Sequence, residues 1–140
     1  MNLSGFSSIR IAAVGLSAGF LFAVADALLN ANPLARRLYE AFRPIARESV
    51  NATLGLAFDL IAGLAMAILF VVLAPALPGG TLGKGIAFGL IAWFFRVAMQ
   101  SASQLVMFRI PGAAVLYGLT SGLIEMLLLG VFYSLLLRTK

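Results

Sequence analysis

Four stretches of this chain carry one charged side chain each, and the rest of each stretch is apolar, small or uncharged. They run from about Ile11 to Asn30, Ala52 to Leu77, Ile86 to Phe108 and Ala113 to Leu137, and their lone charges are Asp26, Asp59, Arg96 and Glu125. A helix needs roughly 20 mainly apolar residues to cross about 30 Å of hydrocarbon, and all four stretches reach that length. Only 11% of the 140 residues are charged, against about a quarter in a soluble domain. A transmembrane barrel would need at least eight alternating strands of about ten residues, a pattern not seen here. The sequence therefore predicts an all-α integral membrane four-helix bundle, with residues 1–140 as a single domain.

Breakers and charges bound the spans. Asn32-Pro33 closes the first, Pro75 and Pro78-Gly79-Gly80 the second, and Arg109-Ile110-Pro111-Gly112 turns the third into the fourth. Arg10, the apolar run to Phe22 and Ala23-Val24-Ala25 also fit the layout of a cleaved signal peptide. The apolar stretch runs past that point to Leu29, which favours a first span.

The one long polar connection, about residues 33–48, has Leu34, Leu38, Phe42 and Ile45 at spacings of three and four, with Arg36, Arg37, Glu40, Arg43 and Arg47 between them. That periodicity predicts a short amphipathic helix in the interface plane, kinked or broken by Pro44. Its arginines Arg36, Arg37, Arg43 and Arg47 would meet anionic lipid headgroups. Four spans put both termini on one side with Arg10, Lys84, Arg138 and Lys140; the connecting loops hold Arg36, Arg37, Arg43, Arg47 and Arg109. The density of the loop arginines favours a cytoplasmic placement of the loops, and so near a balance also permits insertion both ways. The formal net charge of +5 then concerns lipid and not nucleic acid, because no basic stripe stands clear of the bilayer.

An ionised side chain in hydrocarbon costs several kcal/mol, roughly +2.5 to +3.5 on insertion scales, so such groups turn to the bundle interior. At 1.5 Å per residue, Arg96 and Glu125 fall near the midplane on antiparallel helices, which predicts an ion pair between them. Asp26 and Asp59 lie nearer the connecting loops, at a depth shared by Asn30, Gln104 and Tyr117, with Gln100 between them and Arg96 and with Ser121 on the fourth helix. Towards the termini the facing residues are almost wholly apolar. The expected interior is a polar funnel open at one end. Three acids and one arginine leave about two uncompensated charges. Glu125 is expected to stay ionised beside Arg96, and Asp26 or Asp59 to hold an exchangeable proton.

Small residues share faces with these polar groups: Gly15 and Gly19 with Asp26, Gly55 and Gly63 with Asp59, Gly85 and Gly89 with Arg96. Such spacing lets membrane helices approach closely. Gly15, Gly19, Asp26 and Asn30 recur 70 positions on as Gly85, Gly89, Arg96 and Gln100, and a shift of 66 puts Asn51, Gly55 and Asp59 on Tyr117, Ser121 and Glu125. The pattern suggests a duplicated helical hairpin.

With no His and no Cys, the commonest ligands and bases for zinc, haem and nucleophilic catalysis are missing. Pro78 to Gly85 lies in a turn, not between a strand and a helix, so it is no phosphate loop. The expectation is a non-enzyme without cofactor or metal: a small proton-linked carrier or small-ligand-binding protein. The alternative is an accessory or scaffold subunit whose polar core is structural. A homodimer or larger membrane complex is the expected assembly.

Small multidrug-resistance exporters and fluoride channels share the size and span number, but their first-helix Glu setting and third-helix Thr- and Phe-rich pattern have no match here. The chain resembles a loose group of uncharacterised four-span bacterial membrane proteins. The resemblance rests on the small-residue helix running to Asp26 and Asn30, on Pro78-Gly79-Gly80 before Gly89 and Trp93, and on Gly122-Leu123-Ile124-Glu125 followed by Gly130 and Tyr133. It implies a four-span fold in the bacterial inner membrane and no particular mechanism.

Overall fold

The structure, a computed structural model, describes residues 7–46, 49 and 51–137; Arg47, Arg138 and Lys140 lie outside them. Helix α1 (Ser8–Ala31) begins before the apolar run does, because Ser7 caps it and its hydroxyl accepts from the Arg10 amide at 3.2 Å. Asn32 then ends α1 and caps α2 (Pro33–Tyr39), accepting from the Ala35 amide at 2.9 Å. Pro33 sits at the first position of α2, where its missing N–H costs nothing. The chain goes on as a 3₁₀ turn, Glu40–Ile45, that contains Pro44. The predicted interfacial helix of residues 33–48 is thus two short pieces.

Helix α3 (Ala52–Leu73) stops before the predicted Leu77, because Pro75 cannot continue the ladder and disfavours helical backbone just before it. The third span starts earlier than Ile86. Gly79 turns the chain with a φ of 80°, and α4 (Thr81–Trp93) follows at once, taking Lys84 into its first turns. A π turn, Phe94–Ala98, joins α4 to α5 (Met99–Met107), closed by the Met99 amide donating to the Phe94 carbonyl. Helix α6 (Gly112–Leu136) completes the chain. The four long apolar units, Ser8–Ala31, Ala52–Leu73, Thr81–Met107 and Gly112–Leu136, are each able to cross a bilayer. The chain is an integral membrane protein, and no strand occurs among the described residues.

Two glycine-rich crossings hold the bundle. Helix α1 packs along α3, α4 packs along α6, and α1 also meets α6. A Cβ on Gly19 would lie 2.5 Å from the Asp59 carbonyl oxygen and 2.6 Å from the Leu60 Cα; one on Gly89 would lie 2.7 Å from the Met126 carbonyl oxygen and 3.0 Å from the Leu127 Cα. Helices touch backbone to backbone at both places, the geometry small residues exist to allow. The crossings are equivalent, and they reset the register of the repeat. Gly15 and Gly19 correspond to Gly85 and Gly89, 70 positions on. Asp59, Leu60 and Leu64 correspond to Met126, Leu127 and Val131, a shift of 67 and not the 66 read from the sequence. Asp59 is therefore the counterpart of Met126, and Glu125 that of Phe58.

Arg10 donates to the Leu136 carbonyl at 2.5 Å, which ties the start of α1 to the end of α6 on the terminus side. On that same side Phe70, Phe88 and Tyr133 form an aromatic floor, with ring centroids 5.2 to 6.1 Å apart. All three are fully buried, and the Tyr133 hydroxyl donates to the Gly63 carbonyl at 2.8 Å, satisfying the one polar atom the floor encloses.

Candidate functional site: a one-sided polar cavity

Above the aromatic floor, towards the connecting loops, the helices part around a cavity of about 560 Å³. Its walls come from α1, the π turn and α5 of the third span, and α6. Of the residues singled out from the sequence, Asp26, Asn30, Arg96, Gln100, Gln104, Ser121 and Glu125 all line it. The predicted funnel is present at the loop end and stops at the aromatic floor; beyond the floor a separate cavity of about 280 Å³, with Thr81, Lys84 and Ser134 in its lining, indents the terminus side.

Two expected residues are elsewhere. Asp59 does not line the cavity. It follows from the register: the Asp59 backbone is pressed against Gly19 at the α1–α3 crossing, and α3 contributes no wall. Tyr117 is a latch. Its hydroxyl donates to the Leu29 carbonyl and accepts from the Asn32 side-chain amide at 2.7 Å, fixing the α1–α2 corner to α6.

Arg96 and Glu125 share the cavity but not a bond. Among the described residues no hydrogen bond or ion pair joins them; the Arg96 guanidinium instead lies over the Phe22 ring, 4.4 Å from its centroid. A cation on a ring face gains electrostatic attraction from the ring quadrupole, more when water is excluded. The π turn is what aims Arg96 there, since it inserts a residue into the helix at mid-span, a distortion common at functional sites. Trp93, one turn earlier, pins the third span to α6 by donating to the Leu119 carbonyl at 2.9 Å.

Glu125 is only 7% exposed and has no hydrogen-bond partner among the described residues. No buried side-chain oxygen or nitrogen among these residues is both sealed and unpaired. Its carboxyl oxygens therefore face the open cavity and not packed protein. Asp26 is exposed and accepts from the Asn30 side chain at 2.8 Å, one turn along the same helix. Ser121 donates back to the Gly118 carbonyl at 3.3 Å, which leaves its oxygen free to accept. The wall thus presents two carboxylates, one guanidinium, three amide side chains and a hydroxyl acceptor.

Tyr39, Phe42, Ala46 and Ser101 also line the cavity and were not anticipated. The interfacial segment turns Ala35, Tyr39 and Phe42 inward, and Leu34, on the apolar face expected to lie in the headgroup layer, is 56% exposed. A clue was present in the sequence: Tyr39 and Phe42 are aromatic neighbours at a helical spacing of three. Tyr39 stacks edge-on against Tyr117, with centroids 6.1 Å apart. Burial raises the Tyr39 phenol above its usual 10.0, and Tyr117 beside it adds to the shift, so the phenol stays a neutral donor at the cavity mouth. Arg36, Arg37 and Arg43 are exposed, as headgroup contacts would be.

Fold and site together define a four-span membrane protein with a one-sided polar cavity. Comparisons with known protein families, with curated proteins and with solved structures give no match.

Proposed function

We propose that this chain is a small carrier or binding protein of a bacterial inner membrane, which holds a polar ligand beside carboxyl groups able to exchange a proton. The observation that carries this reading is the Glu125 carboxyl, at the middle of a membrane helix, facing open space instead of a protein partner. A group placed there only to lock helices together would be hydrogen-bonded within the bundle. A volume near 560 Å³ falls within the roughly 300–1,000 Å³ of small-molecule sites. Asp26 and Glu125 suit the positive end of a ligand, and Arg96 with the amides of Gln100 and Gln104 suits a negative or carbonyl end. Proton and ligand would compete for the carboxylates, so binding weakens as pH falls and they protonate. The loop side is assigned to the cytoplasm, on the density of Arg36, Arg37 and Arg43.

The alternative, an accessory subunit with a purely structural polar core, draws on the Asn32–Tyr117 and Trp93–Leu119 bonds, which tie the α1–α2 corner and the third span to α6. Asp26→Asn and Asp59→Asn separate the two. In liposomes containing a pH dye, ethanolamine, glycine and phosphoethanolamine are each added to wild type and variants. The carrier reading expects proton movement with at least one of them, reduced about tenfold or more by Asp26→Asn and left within about twofold by Asp59→Asn. Proton movement and binding that are the same in wild type and Asp26→Asn would sink it.

A further inference from the structure

Asp26 and Gln100 lie inside membrane spans, yet both side chains are exposed. The packing explains why. Helix α1 lies against α3 and α6, and α5 lies against α6, but α1 and α5 have no extended packing on each other. Helix α5 buries none of its residues. A gap therefore runs between α1 and α5 and leads from the lipid side to the cavity wall. The two helices that border it carry apolar residues on the faces turned away from the cavity, with Leu28 72% exposed on α1 and Val106 89% exposed on α5. The route from water passes the interfacial segment, whose Tyr39, Phe42 and Ala46 line the cavity and whose first corner the Asn32–Tyr117 bond holds to α6.

We infer that the cavity takes the zwitterionic headgroup of a membrane amphiphile, an ammonium beside a phosphate, sideways through the α1–α5 gap. The proposal rests on the ligand-binding reading of the cavity and narrows its ligand. The charges fit: the ammonium meets Asp26 and Glu125, and the phosphate meets Arg96, whose planar guanidinium suits phosphate oxygens. Entry begins at Asp26, which stands five residues before the end of α1, roughly 8 Å from that end, where headgroups meet acyl chains; Arg96 and Glu125 lie deeper, so the headgroup is drawn inward past Asp26. The apolar outer faces of α1 and α5 keep the acyl chains in lipid while the headgroup swings inward. A purely anionic headgroup would bring its charge to two carboxylates without an ammonium to offset them.

The test uses the full chain in nanodiscs of equal parts phosphatidylethanolamine and phosphatidylglycerol, with retained lipid counted by native mass spectrometry and soluble phosphoethanolamine as competitor. The expected result is phosphatidylethanolamine retained about tenfold over phosphatidylglycerol, a preference lost in Glu125→Gln and in Arg96→Gln. Soluble phosphoethanolamine should displace the lipid only at a large excess. Equal retention of the two lipids, or a preference unchanged by Glu125→Gln, overturns the inference. Displacement by stoichiometric phosphoethanolamine also overturns it, while leaving a solute site filled from water. Efficient disulfide cross-linking of Gln100→Cys, exposed at the cavity wall, between two copies would show the gap filled by a second chain and overturn it too. If, in addition, Ser101→Cys were inert to a water-soluble thiol reagent, the cavity reading itself would fail.

Discussion

Glu125→Gln is expected to remove binding of a cationic or zwitterionic ligand by about a hundredfold while leaving the bundle at least as stable as wild type. Both halves follow from the same fact. The Glu125 carboxyl has no partner among the described residues and faces the cavity, so changing it to an amide breaks no internal hydrogen bond. It also removes an ionisable group from a site deep in the membrane, where an unpaired charge is costly. Charge-assisted hydrogen bonds to a ligand contribute about 1.5–3 kcal/mol each, and a bound ammonium near the middle of a bilayer finds little water to replace one. Calorimetric titration and unfolding in mixed micelles, followed by the fluorescence of Trp93, the only tryptophan, read the two effects separately. A structural role predicts the reverse pattern, with stability lost and binding spared.

The largest loss of stability is expected at Gly63→Ala. A Cβ there would run into the Gly19 amide nitrogen, the Gly15 carbonyl oxygen and the Gly19 Cα. These are backbone atoms of a helix and cannot rotate aside, so α1 and α3 must separate along the whole crossing. Overpacking a tight contact costs about 1–3 kcal/mol, and the upper end is expected here because every obstructing atom is main chain. Gly55→Ala, on the same helix with nothing within 4 Å of a new Cβ, is the control. It should be neutral or slightly stabilising, by up to about 1 kcal/mol of helix propensity. Unfolding midpoints that fall together for the two variants would contradict the packing described.

Much of this was readable from the chain itself. The four spans, the lopsided polarity and the gathering of Asp26, Asn30, Arg96, Gln100, Gln104, Ser121 and Glu125 follow from length, depth and helical spacing, and backbone geometry obeys those closely. What escaped depends on register and on irregular backbone. Asp59 was misplaced because a shift of one residue along a helix turns a side chain by about 100°, and glycine spacing alone left that shift open. The expected Arg96–Glu125 pair missed the π turn at Phe94–Ala98, which has no sequence signature of its own and sends the guanidinium onto Phe22. Tyr39 and Phe42 were overlooked as lining because an amphipathic pattern gives the apolar side of a segment but not which apolar residue meets the bundle.

The central claim is that water reaches the middle of the bundle from one side only. The chain has no cysteine, so single substitutions report access directly. Ser101→Cys and Ser121→Cys line the cavity, Ala67→Cys sits in the buried floor at 0% exposure, and Ser49→Cys marks the connecting-loop side. Labelled in sealed vesicles with a membrane-impermeant maleimide, Ser101→Cys and Ser121→Cys should react from the side that labels Ser49→Cys and to the same extent, with Ala67→Cys silent from both sides. Unreactive cysteines at both 101 and 121, or equal reaction from the two sides where Ser49→Cys shows one, would contradict the account.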